Sequence, residues 1–278
     1  MKLKPEKIVI YFLVILTIIW TFFPIYWVVV TSFKPESEVI TKPPTWIPRH
    51  PTLENYYRLF LEENFYVYMV NTAIVSLGST LLALLLGSPA SYAVARHRIG
   101  KYAGRLFLGW NLVVRMFPPI VLAIPIFTVF RQLGLINSRL GLIIAYQVYA
   151  LPYTIWLLHG FFSEIPIEIE EAAMVDGAPP LILFTRIALP LVLPGIVTTA
   201  ILATIQTWND FLYALIFIYS QEKMTITVQI AGYIQEFKIE WGLLASSGIV
   251  SSLPVLALSA AVQKYLTRGL AAGRGIKG

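Results

Sequence analysis

The sequence predicts an all-α, polytopic membrane protein with six transmembrane helices in a single transmembrane domain over residues 1–278. Three observations carry that class. Apolar residues make up 57% of the chain and charged residues only 13%, against about 25% charged in an ordinary soluble domain. Six apolar stretches approach or exceed the ~20 residues that cross a bilayer. Polar, proline-bearing or basic connections separate them.

The first span covers about 8–33 and carries no charge, with Pro24 offering a place for a bend. It is too long for a signal-peptide core and has no small-residue cleavage site near its end, so it is expected to be retained. A polar loop with Pro35, Pro43, Pro44, Pro48 and Pro51 follows, and its aromatic tail from Leu53 to Phe65 is suited to a membrane face. The second span, 64–95, is again uncharged; Arg96-His97-Arg98, Lys101 and Arg105 then make a short basic loop. The third, 106–130, holds Arg115 and is expected to break at Pro118-Pro119 and at Pro125. The fourth covers 140–163, the fifth 187–217 with Asp210 inside it, and the sixth 241–265. The fourth and fifth are joined by a polar loop over 164–186. The closing stretch from Arg268 is basic and glycine-rich, with the composition of a frayed end.

Six spans leave both termini on one side, and the basic residues indicate which. Twelve of the 21 lysines and arginines fall with the termini, eight fall in longer loops opposite, and Arg115 lies within a span. The positive-inside rule then puts both termini, and the 164–186 loop, in the cytoplasm. The net charge of +6 is explained by this anchoring, without a nucleic-acid partner. With no cysteine, disulfide and thiolate chemistry are excluded on this chain. His50, His97 and His159 fall in different segments, and no metal site is expected.

The 164–186 loop is more structured than a connector needs to be. Pro166 suits a first helical turn, and Glu168, Glu170 and Glu171 suit the positive end of a helix dipole. Ala172 and Ala173 leave one side without bulk, Gly177 supplies a left-handed stop, and Pro179-Pro180 forbid simple continuation. Glu171-Ala172-Ala173, then Gly177, then Ile187 and Leu189-Pro190 resembles the EAA loop of permease subunits in ABC importers, with every fixed position filled.

That resemblance implies a type I ABC importer permease fold whose cytoplasmic coupling helix docks on a partner ATPase. The grip would be formed by Glu170, Glu171, Ala172, Ala173, Asp176 and Gly177. It further implies a second related permease, two ATPase subunits and an extracytoplasmic sugar-binding protein, all working in a lipid bilayer. This chain would carry no cofactor and no catalytic residue, ATP and Mg being held by the partner ATPase. Consistently, the sequence contains no G-x-x-x-x-G-K-[ST] phosphate loop.

Arg115 and Asp210 are the two charges inside apolar spans, and a charge at that depth is a functional candidate. On straight helices Arg115 lies roughly 15 Å and Asp210 roughly 30 Å from the cytoplasmic end, too far apart to pair directly. Asp210 closes Trp208-Asn209-Asp210, where an aromatic face and polar groups suit a pyranose ring and its hydroxyls. An interfacial aromatic belt with a snorkelling carboxylate is the structural alternative. Beside Arg115, two prolines free backbone carbonyls, which suits a cavity wall; a plain kink with Arg115 bonded to those carbonyls is the alternative.

Arg115-Met116-Phe117-Pro118-Pro119, the Trp208-Asn209-Asp210-Phe211 tetrad and the Arg268-Gly269-Leu270 tail are similar to carbohydrate ABC permeases of the maltose/trehalose type. The substrate path is therefore expected at Arg115, Trp208, Asn209 and Asp210, and the cargo to be a disaccharide or oligosaccharide. A glycerol phosphate permease and an ion-coupled secondary carrier are the competing readings. The carrier would need titratable groups clustered near the midplane, where only Arg115 stands.

Overall fold

The computed structural model describes residues 5–96 and 99–274. Lys2, Lys4, His97, Arg98, Lys277 and Gly278, used above in the charge, histidine and tail readings, lie outside the described residues. The described chain is helical apart from one isolated antiparallel bridge between Ile234 and Ile239. In order come α1 (Pro5–Ser32), α2 (Phe65–Ala95), α3 (Lys101–Met116), α4 (Pro119–Gln132), α5 (Arg139–Ala145) and α6 (Gln147–Ser163). Then follow α7 (Ile167–Val175), α8 (Pro180–Leu191), α9 (Leu193–Trp208), α10 (Leu212–Phe217) and α11 (Trp241–Arg274).

Three helices, α1, α2 and α11, are long and apolar enough to cross a bilayer unaided, and six spans result if each bent pair is one crossing. The pairs are α3–α4, bent by 98°, α5–α6, bent by 47°, and α8–α9, bent by 75°. The first break falls where expected: Phe117 is extended (φ −69°, ψ 136°), as a residue before proline must be. Pro125, by contrast, sits inside α4 without ending it. The fourth and fifth spans are not the continuous helices read from hydropathy. The fourth turns at Tyr146. The fifth turns at Val192, just before Leu193-Pro194, and stops again at Asn209. Its approach through Leu183–Ala188 is a widened π turn. The tail is helical through Arg274, since Leu270, Ala271 and Ala272 are strong helix formers.

The chain divides into two compact units. The first contains α1, the segment up to Tyr66 and Gln229–Leu253. Its polar loop is tied down by buried groups. Lys34 donates its ammonium to the Thr45 carbonyl and lies 4.6 Å over the Trp27 ring. The Asn55 amide donates to the Ser32 and Lys34 carbonyls, both at 2.9 Å. Glu38 accepts the Arg49 backbone N–H at 2.9 Å, and chiefly this bond holds its carboxyl below the usual glutamate value.

The second unit contains Val67–Val228 and the chain from Pro254 onward. Helix α2 carries the buried polar groups Asn71, Ser76, Ser79, Thr80 and Ser91, some of which bond beyond their own helix. Thr80 shares a hydrogen bond of 3.0 Å with Thr204 of α9, and Gln147 of α6 donates to the Ser79 carbonyl at 3.1 Å. In a bilayer, where apolar surface gains nothing by leaving lipid, such bonds and close packing hold helices together. The packing of α6 on α9 depends on Gly195, where an added Cβ would fall 2.4 Å from the Phe161 ring.

Two expectations follow. Gly195→Val should destabilise the detergent-solubilised chain by about 1–3 kcal/mol through overpacking, measured as a lowered thermal midpoint; Gly160→Ala, with open space at its Cβ, should leave the midpoint in place. Glu38 contributes stability that is full above the unfolded carboxyl pKa and is lost as pH falls through the depressed folded value. Melts across pH 6 to about 3 should therefore show a steeper acid loss for wild type than for Glu38→Gln.

Candidate functional site

Helix α7 is short, polar and largely solvent-facing. Pro166 is its N-cap, one position earlier than a first-turn proline, and Glu168 and Glu170 occupy the first turn. Its end is locked by two bonds: the Gly177 N–H donates to the Met174 carbonyl at 3.0 Å and the Ala178 N–H to the Ala173 carbonyl at 3.0 Å. This paired 5→2 and 6→1 closure needs a left-handed residue at Gly177, whose φ is +83°. Glu171, Ala172, Asp176 and Gly177 are exposed and Ala173 is half-buried. Val175 stands out from the surface at 88% exposure, an apolar side chain without cover in this chain.

Glu170 corrects the grouping made from sequence, because its side chain is not presented with its neighbours. It is 1% exposed and faces inward. The Tyr92 hydroxyl donates to one carboxylate oxygen at 2.6 Å, and Arg96 Nε donates to the other at 2.7 Å. Arg96 Nη2 donates to the Ile165 carbonyl at 3.1 Å, so the pair also secures the turn that leads into α7. Around it pack Phe162, Leu158 and Phe184, with the Tyr92 ring 5.5 Å from Phe162 and 5.2 Å from Phe184. Arg96 looked from sequence like one more cation of a basic loop. Nothing in its spacing marks a partner 74 residues away.

A second feature is a cavity of about 520 Å³ bordered by Arg115, Tyr149, Gln206, Asn209, Asp210 and Phe211. Arg115 and Asp210 therefore meet the same space, although straight helices would set them at different depths. The 98° and 75° bends make distance along the chain a poor measure of depth. Among the described residues no ion pair joins them. Arg115 lies 5.2 Å from the Tyr153 ring instead. One Asp210 oxygen accepts the N–H groups of Tyr213 (3.1 Å) and Ala214 (3.2 Å), capping α10, and its main-chain carbonyl accepts from Thr227 at 2.6 Å. The Tyr213 hydroxyl donates to the Pro119 carbonyl at 3.3 Å, which links the proline break to the Asp210 turn.

Of the other residues named from sequence, Asn209 borders the cavity but donates its amide to the Ile205 carbonyl at 2.8 Å. Trp208 is 7% exposed and is not part of the wall. Sequence reasoning missed Tyr149 and Gln206. The hydroxyls of Tyr146 and Tyr149 face the Asp210 carboxylate, without closing hydrogen bonds of ordinary geometry. A ring of tyrosines and amides around one carboxylate and one guanidinium can bind hydroxyl-rich or anionic solutes.

Known proteins are similar to this chain as a whole. The profile of the family described as "Binding-protein-dependent transport system inner membrane component" matches residues 83–272. The sulfoquinovosyl glycerol transport permease SmoH of Agrobacterium fabrum is 38% identical over 92% of this chain and 89% of its own length. The trehalose permease SugB of Mycobacterium tuberculosis is 38% identical over 90% of each chain. The trehalose/maltose permease MalG of Thermococcus litoralis is 34% identical over 93% of each. Among solved structures, a chain of a bacterial ABC transporter that imports alginate superposes with a TM-score of 0.78 at 22% identity, over 95% of this chain and 99% of that one.

The geometry of α7 sets one expectation. Because the space around Gly177 is open and only its φ is demanding, Gly177→Val should weaken the stop by about 1–2 kcal/mol and Gly177→Asn by less. Amide hydrogen exchange over 172–178 in the solubilised protein checks this, with faster exchange expected for valine than for asparagine.

Proposed function

The chain belongs to the binding-protein-dependent transport system inner membrane components, and from that premise we propose that it is one permease subunit of an ATP-driven sugar importer. It is a multi-pass membrane transport subunit and not itself the catalyst. The finer reading is that it pairs with a second, related permease and two copies of a separate ATPase, which holds ATP and Mg. An extracytoplasmic binding protein would deliver the cargo. The observation that carries the proposal is α7: a short, rigidly terminated helix whose outer side is exposed and unfilled. With both termini cytoplasmic, as the basic residues favour, α7 faces the compartment that contains ATP.

The cavity supports a carbohydrate. Phe211 and Tyr149 supply flat faces, and Asp210, Asn209 and Gln206 supply polar groups. The relatives are named for sulfoquinovosyl glycerol, trehalose and trehalose/maltose. A disaccharide or short oligosaccharide of the maltose or trehalose kind fits that range. Arg115 in the same wall favours a second reading, a cargo with an anionic group such as a glycerol phosphate. In transport, closure of the ATPases on nucleotide would move α7, and the spans would exchange inward-open for outward-open arrangements because the partners contact the two states differently.

Reconstitution of the chain with its partners in liposomes tests the class: uptake should need ATP and proceed without an ion gradient. Asp210→Asn keeps an oxygen to cap α10 but removes the charge. It should raise the half-saturating sugar concentration about tenfold, the loss of a charge-assisted hydrogen bond. Gradient-driven uptake without nucleotide would overturn the proposal, and an unchanged half-saturation would remove Asp210 from the path.

A further inference from the structure

We propose that the buried Glu170–Arg96–Tyr92 cluster is the joint that delivers movement of α7 to α2, which makes Glu170 and Arg96 positioning residues of the transport cycle. The inference rests on the proposed function, and it concerns a contact that faces away from the ATPases. Helix α7 is attached to the rest of its unit in four ways, one of them its packing against Leu183–Ala188. Two are the chain itself: the Ser163–Pro166 turn on one side and the left-handed Gly177 turn with Pro179 on the other. A short turn at each end fixes position but leaves a nine-residue helix free to roll about its axis. The last attachment is the side-chain cluster, whose directional hydrogen bonds add to that packing in resisting rolling.

Its geometry suits that task. Both carboxylate oxygens of Glu170 are engaged, one by Tyr92 in the last turn of α2 and one by Arg96, which follows its end. The Arg96 backbone N–H still bonds the Tyr92 carbonyl, so that both donors lie on one side. The Arg96 and Glu170 side chains are 8% and 2% exposed, so water does not screen the pair. Charge-assisted bonds of 2.6–2.7 Å are short and directional. Arg96 also holds the Ile165 carbonyl, so the same guanidinium grips α7 and the turn before it.

From there α2 runs unbroken for 31 residues, through Pro89, to the level of the cavity wall. Ser76 and Thr80 lie about 24 Å along the helix from the Tyr92–Arg96 end. They bond to Thr207 and Thr204, the last turn of α9 before Asn209 and Asp210. A displacement of α7 therefore has a continuous hydrogen-bonded route to the cavity that avoids the bent junction between α8 and α9.

The test uses the complete transporter in liposomes and reads sugar imported per ATP hydrolysed. Glu170→Ala and Arg96→Ala should assemble with their partners, hydrolyse ATP and import about tenfold less per ATP, the scale of a typical coupling energy. The chain has no cysteine, so an Arg96→Cys/Glu170→Cys pair can be bridged by a short bifunctional thiol reagent. The unbridged pair should be uncoupled, and bridging should bring the ratio back to within about threefold of wild type. A wild-type ratio in Glu170→Ala overturns the inference, as does a bridge that restores nothing. Failure of both alanine variants to assemble assigns the cluster to folding and overturns it too. If the wild-type complex itself imports nothing with ATP, the function reading fails and takes this inference with it.

Discussion

The bilayer interior offers no water to a broken backbone, and this constraint orders the molecule. An N–H or carbonyl freed by a bend must find a partner within the protein or line a wet space. Of the three bent spans, the third and fifth have their broken ends beside polar groups. Pro119, the first residue after the break that follows α3, accepts from the Tyr213 hydroxyl. The stop after α9 is closed by Asp210, which caps α10 and accepts from Thr227. Both contacts involve Tyr213, which borders the cavity together with Pro119, Arg115 and Asp210. The charged cavity and the irregular backbone are one solution to one problem.

That the chain is helical and apolar in long segments was legible because hydropathy reports on this directly. The breaks were only partly legible. Pro24, Pro89, Pro125, Pro152 and Pro254 all lie inside helices, whereas Pro118-Pro119 and Pro194 mark bends. Proline removes one donor in every case; whether the helix ends depends on what neighbours offer the freed carbonyl, and that is a tertiary fact. The consecutive pair at 118–119 was readable since it removes two donors in succession. The Tyr146 turn had no comparable local mark.

The candidate site divides in the same way. Gly177 was readable because φ +83° is a local demand that one residue type meets readily. The exposure of Glu171 and Asp176 followed from a short polar helix. The inward turn of Glu170 did not, because its partners Tyr92 and Arg96 are more than 70 residues away in sequence. Adjacent glutamates thus have opposite employment: Glu171 is offered to the outside and Glu170 is committed within. The meeting of Arg115 and Asp210 at one cavity was hidden for a related reason, since depth counted along straight helices ignores the bends.

The inward hold on Glu170 also restricts how this stretch can vary in length. Successive residues of an α-helix point about 100° apart. One residue gained or lost between Ile165 and Glu170 would swing the carboxylate away from Arg96 and bring a neighbouring isoleucine or glutamate round in its place. Deletions and insertions should thus be purged from this segment even where single substitutions survive.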